Sequence, residues 1–279
     1  MQIKKEDSMK INEEEEIYGK IAEVVHLICN NPAVYFSETD IHVLMMKALM
    51  EIDRFNPFAD WKKGLRPTNC TIGKKSKKAE DPSKERYRTM LVHREYGNNK
   101  GTGERSDIVV FDEKDIKFID HPRDLKRKGK YLEPKYTFEF GTEKCEDYKE
   151  HVEGDLEKLS ERENTCFLIH IQRIYIKTGN VTQAFEDNRS MNKKNQDATV
   201  TLWKKTKNKN RIKVLIFFVL IGGDKIFIEE KVRMFNPYST NGSGYWEAVN
   251  LAKIKEIIEI FLREDKPDLK KIKGSLSKK

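Results

Sequence analysis

Apolar positions along the chain fall into helical and strand-like periods that alternate. Ile17, Ile21, Val24, Val25 and Ile28 recur at helical spacing behind the acidic run Glu13 to Glu16, whose charge suits the positive end of a helix dipole, so a first helix is predicted there. A second follows Pro32: Ser37-Glu-Thr-Asp40 has the form of a capping box, and Ile41, Leu44, Met45, Ala48, Leu49 and Ile52 share one face behind it. The pattern stops between Asn56 and Arg88, where Pro57, Gly64, Pro67, Gly73 and Pro82 punctuate a lysine-rich stretch, and a long loop is expected. Three short strands come next, at Thr89 to Tyr96, Asp107 to Asp112 and Lys135 to Phe140, and read as a meander.

Beyond the meander, Tyr148, Val152, Leu156 and Leu159 mark the apolar stripe of a helix from about Glu146 to Arg162. Cys166 to Ile176 and Arg211 to Ile221 are continuous apolar runs, as in strands covered on both faces. The polar, basic stretch between them, Gly179 to Lys209, reads as an insertion. A strand at Lys225 to Phe235, a turn through Asn236 to Gly244, a helix at Trp246 to Arg263 and a lysine-rich tail complete the pattern. This order predicts one α/β domain at 34–265, a central mixed β-sheet flanked by helices. An N-terminal helical extension (1–33) precedes it, basic loops occupy about 56–88 and 179–210, and a basic tail (266–279) follows.

Composition narrows the function. Of 279 residues 37% are hydrophobic and 36% charged, against roughly 45–50% and ~25% in ordinary globular chains, so the fold carries solvated charged segments. No apolar run approaches the ~20 residues of a membrane helix, which excludes a helical span. The N-terminus turns acidic where a secretory signal needs apolar residues, so an intracellular, cytoplasmic protein is expected. Cys29, Cys70, Cys145 and Cys166 stand far apart without a C-x-x-C pair, as ordinary reduced thiols do. The net charge of +8 is concentrated in the loops and tail, while acids gather near the N-terminus and around Glu139, a distribution that suits a phosphate backbone. Lysine-rich loops also serve solubility alone.

The candidate chemistry lies between Glu95 and Lys158. Asp107 opens the strand Ser106-Asp-Ile-Val-Val-Phe111, and Glu139 sits inside Lys135-Tyr-Thr-Phe-Glu-Phe-Gly141. Alternation puts Thr137, Glu139 and Gly141 on one face and Tyr136, Phe138 and Phe140 on the other. If the two strands pair, Asp107 and Glu139 converge on a carboxylate site for Mg²⁺, the chemistry of metal-assisted phosphodiester hydrolysis.

Here the sequence resembles the PD-(D/E)XK, restriction-endonuclease-like superfamily, over about residues 34–176. The resemblance is carried by Glu38 in the first core helix, Glu95 in His93-Arg-Glu-Tyr96, Asp107 in Arg105-Ser-Asp-Ile-Val109, Glu139 in Phe138-Glu-Phe-Gly141 and Lys158 in Asp155-Leu-Glu-Lys-Leu159. It implies a restriction-endonuclease-like core and a Mg²⁺-dependent endodeoxyribonuclease, a hydrolase of restriction or genome defence, with Mn²⁺ as a substitute ion and DNA as partner. Asp107 and Glu139 would ligate the metal and Glu38 would complete the acidic cluster. No membrane partner is expected, and a homodimer is compatible with the pattern. Ser106 stands where the motif's name has proline. Gly141 stands where it has the lysine that orients the attacking water. Lys158 and Lys144 are the two replacements at hand, Lys158 being favoured because a packed helix holds an ammonium more firmly than a loop.

Each residue also has an ordinary structural role open to it. Asp107 could be a turn residue, Glu139 could face solvent, Glu38 could serve the helix dipole, Glu95 could pair with Arg94, and the lysines could be solvated. Gly141 favours an alternative, a nuclease-fold protein that binds nucleic acid or assembles without cutting. Other signals fail: Gly97 to Gly103 lacks the G-K-[ST] of a P-loop, the six histidines form no H-E-x-x-H or other close pair, and no G-x-S-x-G turn occurs. Tyr238, Tyr245 and Trp246 could stack on bases, although aromatics framing a turn more often pack.

Overall fold

The computed structural model describes residues 3–31, 37–56, 71–72, 87–88, 90–97, 105–112, 132–142, 148–175, 189–221, 232–239 and 246–277. Helices α1 (Ile3–Asn30) and α2 (Glu38–Met50) precede a small antiparallel pair, β1 (Thr71–Ile72) and β2 (Tyr87–Arg88). The main sheet contains β3 (Val92–Gly97), β4 (Arg105–Val110), β5 (Tyr136–Gly141), β6 (Thr165–Tyr175), β7 (Ile212–Ile221), β8 (Val232–Phe235) and β9 (Trp246–Val249), in that spatial order. Helix α3 (Tyr148–Ser160) joins β5 to β6 and α4 (Arg189–Lys205) joins β6 to β7; α5 (Ile254–Arg263) and α6 (Leu269–Leu276) follow the last strand. The joins made by α3 and α4 are parallel and the other main-sheet pairings antiparallel, so the sheet is mixed. This is an α/β fold with helices on both faces.

Two apolar layers hold it. Alternate residues of β6 and β7 point opposite ways: Phe167, Ile169, Leu215 and Phe217 meet α1, α2, α5 and α6, while Cys166, Leu168, Val214 and Ile216 meet α3 and α4. Burial on both faces explains why these strands read as unbroken apolar runs. In β5 the alternation runs as expected, with Tyr136, Phe138 and Phe140 in the α1/α2 layer. Among the described residues no helix is long and apolar enough to cross a membrane.

Three expectations are corrected. The segment 179–210 is not all loop, because α4 occupies Arg189–Lys205. Its inward positions Asn195, Thr199 and Leu202 have helical spacing, but two are polar, with Thr199 Oγ1 2.7 Å from Tyr148 Oη, so the stripe escapes a hydrophobicity pattern. The predicted helix at Trp246 begins instead as strand β9, where Glu247 and Val249 alternate with more exposed residues, and the helix starts only at Ile254. The basic tail contains α6: Asp268 caps it by accepting from the backbone N–H groups of Lys270 and Lys271, and Leu269, Ile272 and Leu276 are buried in the α1/α2 layer. Outside the described residues lie 57–70 and 73–86 of the first basic loop and Lys144.

Candidate active site

Both helical layers meet around the C-terminal end of β5. The register of β4 with β5 runs from Val110↔Tyr136 to Ile108↔Phe138, and one step beyond it Asp107 Oδ2 accepts the backbone N–H of Phe140 at 2.7 Å. Asp107 is thus fixed at the start of β4 as a hydrogen-bonded carboxylate. The capping box at Ser37, with Asp40 as its return partner, starts α2 so that Glu38 and His42, one turn apart, reach the same place. His42 Nε2 lies 3.5 Å from Asp107 Oδ2 and 3.7 Å from Glu38 Oε1.

The role of His42 follows from its other nitrogen. Arg94 Nε donates to His42 Nδ1 at 3.2 Å, and a guanidinium has no acceptor. A neutral His42 therefore carries its proton on Nε2, buried and without a hydrogen-bond partner among the described residues, and directs that proton between the two carboxylates. It stands between Glu38 and Asp107 at ion-pair distance and, carrying its proton, is not free to ligate a metal through Nε2. Long-range ¹⁵N NMR is expected to find the Nε2–H tautomer; a protonated Nδ1 in neutral His42 would refute this assignment.

On the opposite face, α3 delivers Lys158, Asp155 and His151. Lys158 Nζ lies 2.9 Å from Asp155 Oδ1 and 3.4 Å from Glu139 Oε2. Glu139 is 0% exposed and its Oε1 has no hydrogen-bond partner among the described residues. Burial, then the negative charges of Asp107 and Asp155, hold its carboxyl well above the usual range, with Lys158 and Ser106 opposing. Burial acts on Asp155 in the same direction but is outweighed by hydrogen bonds from His151 and His170 and by the charges of His170 and Lys158, which keep it well below the ordinary value. Desolvation would lower Lys158, yet Glu139 and Asp155 dominate and raise it.

Gly141, which the sequence left as a missing lysine, has a steric cause. A Cβ there would lie 2.3 Å from His170 Cε1 and Nδ1. The imidazole of His170 lies against the backbone where a side chain would start, with Nε2 2.9 Å from Asp155 Oδ2.

The structure therefore brings Glu38 and Asp107 to one cluster, and Asp107 close enough to Glu139 to raise its pKa, with Lys158 against Glu139. Glu95 is not part of it: 48% exposed at its side chain, it pairs with Arg94 at 3.3 Å and Arg105 at 3.0 Å. Trp246 packs on Phe218 and Phe235, and Tyr238 lies near Phe261, as packing residues do. Sequence reasoning missed His42, His151 and His170. The first two carried a signal in their i, i+4 spacing to Glu38 and Asp155; His170 carried none, since only strand pairing brings it to Gly141.

Glu38 and Asp107 offer hard oxygen atoms that lie within 4.8 Å of each other, the spacing a cation's ligands can take, while Glu139 stands outside that group and its unpartnered buried Oε1 lacks the compensating group its burial calls for. No family model, curated protein or solved structure matches the chain.

Proposed function

We propose that the protein is a metal-dependent nuclease with a PD-(D/E)XK, restriction-endonuclease-like core that hydrolyses DNA phosphodiester bonds. The order α2, the β3–β5 meander, α3 and β6 supports this reading, since it is the order that the resemblance implies. The observation that carries it is the buried Glu139 carboxylate, with one oxygen unpartnered, Lys158 on the other and the Asp107 charge beside it.

In this reading Asp107, Glu139 and Glu38 hold Mg²⁺ or Mn²⁺, which would supply a polarised phosphate and a more acidic water. His42 stands between Glu38 and Asp107 at ion-pair distance. Lys158 takes over from the residue missing at Gly141: its ammonium, braced by Asp155, orients the attacking water and offsets charge developing on phosphate. The basic loops hold the DNA backbone. A second reading, an inactive nucleic-acid-binding or assembly protein of the same fold, is favoured by one observation, the closure of position 141 by His170.

A cleavage assay on mixed DNA substrates with Mg²⁺ or Mn²⁺ separates the two. Cutting that is abolished by EDTA and reduced at least about 100-fold by Asp107→Ala is expected, the usual scale for losing one such group. DNA binding without metal-dependent cutting would establish the inactive reading instead.

A further inference from the structure

The second histidine cluster has a chemistry of its own, independent of the nuclease reading. Asp155 Oδ2 lies 2.9 Å from His170 Nε2 and 3.1 Å from His151 Nε2, and the three ligand atoms all fall within 4.8 Å of one another. Donors held at about 2.1 Å from one ion stand ~3.0–3.4 Å apart in octahedral or tetrahedral arrangements, so the spacing already approximates a coordination edge.

We propose that His151, Asp155 and His170 form a binding site for a transition-metal dication of the Zn²⁺ or Co²⁺ type. Two imidazoles and one carboxylate are the donor set that such ions take, whereas Mg²⁺ prefers oxygen alone. The site is built rather than incidental. His170 is 1% exposed and lies against Gly141, where no other residue would leave it room. Asp155 is 2% exposed and turns its second oxygen to Lys158, which fixes the carboxylate plane and leaves Oδ2 to the imidazoles. His151 is a quarter exposed and opens the cluster to solvent, as an entry path requires.

Electrostatics favour a cation here as well. Glu38 Oε2 lies 3.9 Å from His151 Nε2, and Glu139 shares Lys158 with Asp155. The carboxylates of Glu38, Asp107, Glu139 and Asp155 thus crowd one region with a single lysine directly between two of them, and Glu139 retains an unpartnered oxygen. Metal binding at the proposed site would release the Nε2 protons that His151 and His170 donate to Asp155, whereas in the Glu38–His42–Asp107 group Arg94 occupies Nδ1 and keeps the His42 proton on Nε2.

Metal binding itself is the test, on untagged, chelator-stripped full-length protein. Titration with Co²⁺, followed by its visible d–d bands, and with Zn²⁺, followed by calorimetry and elemental analysis, is expected to find one nitrogen-ligated ion per chain. His151→Ala is expected to weaken that binding at least about tenfold, with an unchanged circular dichroism spectrum because the side chain is partly exposed. Asp107→Ala is expected to leave the Co²⁺ bands intact while removing Mg²⁺-dependent cutting, so failure of the nuclease reading leaves this result untouched. Wild-type binding no tighter than millimolar, or equal Co²⁺ spectra and affinity in His151→Ala and wild type, would overturn the proposal. Loss of the bands in Asp107→Ala with retention in His151→Ala would also overturn it, by assigning the ion to the other group.

Discussion

Gly141→Lys, the substitution that restores the motif lysine, is expected to destabilise the protein and not to improve cutting. Any side chain at 141 starts 2.3 Å from two atoms of the His170 ring, inside the distance at which non-bonded atoms can rest, and that ring is held by Asp155. Overpacking of this kind costs about 1–3 kcal/mol, which is the expectation for Gly141→Ala. Lysine adds a buried ammonium and a broken His170–Asp155 contact, and a total above about 3 kcal/mol follows. At roughly 2–4 °C per kcal/mol for a chain of this size class, Tm falls by about 6 °C or more. The cause is testable by a double-mutant cycle: His170→Ala removes the obstructing ring, so Gly141→Ala costs at least about 1 kcal/mol less in that background. A Gly141→Lys protein as stable as wild type and faster on DNA would refute the steric account and the assignment of Lys158 together.

Glu139→Gln is expected to move stability and activity in opposite directions. The buried carboxyl is held well above its ordinary range by desolvation and by Asp107 and Asp155, so its ionisation at neutral pH works against folding. Gln keeps the shape, can accept from Lys158 with its oxygen, and removes the charge. A gain of about 1–3 kcal/mol, the usual cost of a poorly satisfied buried polar group, is expected near pH 8. The sign is set by linkage. For an acid whose folded pKa is raised, the penalty is absent below the unfolded value of about 4.3, where both states are protonated, grows as pH rises towards the folded pKa, and is constant above it, where both states are ionised. The advantage of Glu139→Gln therefore vanishes near pH 4 and is largest in alkaline buffer, which urea titrations across pH will read. Asp155 behaves oppositely: its depressed pKa contributes stability above pH ~4, lost as pH falls through the folded value. In the proposed nuclease, the same Glu139→Gln change lowers cutting by about 1,000-fold through loss of a charged ligand. A variant that is less stable than wild type at pH 8, yet cuts normally, would show Glu139 to be structural.

Much of this fold is legible in local pattern. The capping box at Ser37, the stripe of α3 and the paired apolar runs of β6 and β7 are each specified by neighbouring residues, and each forms within a few positions of where the sequence puts it. Alternation alone separates Glu139 from Phe138 and Phe140. Helix α4 was not legible, because its inward face uses Asn195 and Thr199 and is satisfied by hydrogen bonding. Strand β9 was not legible either: four residues of alternation before a strongly amphipathic helix read as part of that helix until β8 pairs with them.

The site divides along the same line. Sequence determined which residues could carry charge into the sheet, since Asp107 at a strand start and Glu139 within an apolar strand are visible as anomalies of pattern. Only the tertiary structure decided how they are partnered. Strand pairing sets His170 over Gly141, the packing of α3 brings Lys158 to Glu139, and Arg94 of β3 fixes the proton on His42. These are contacts between residues from 12 to 52 positions apart, Asp155 with His170 among them, and no local period encodes them. Chain order offered many lysines and one absent one; packing determines both why position 141 has no side chain and which ammonium stands beside Glu139.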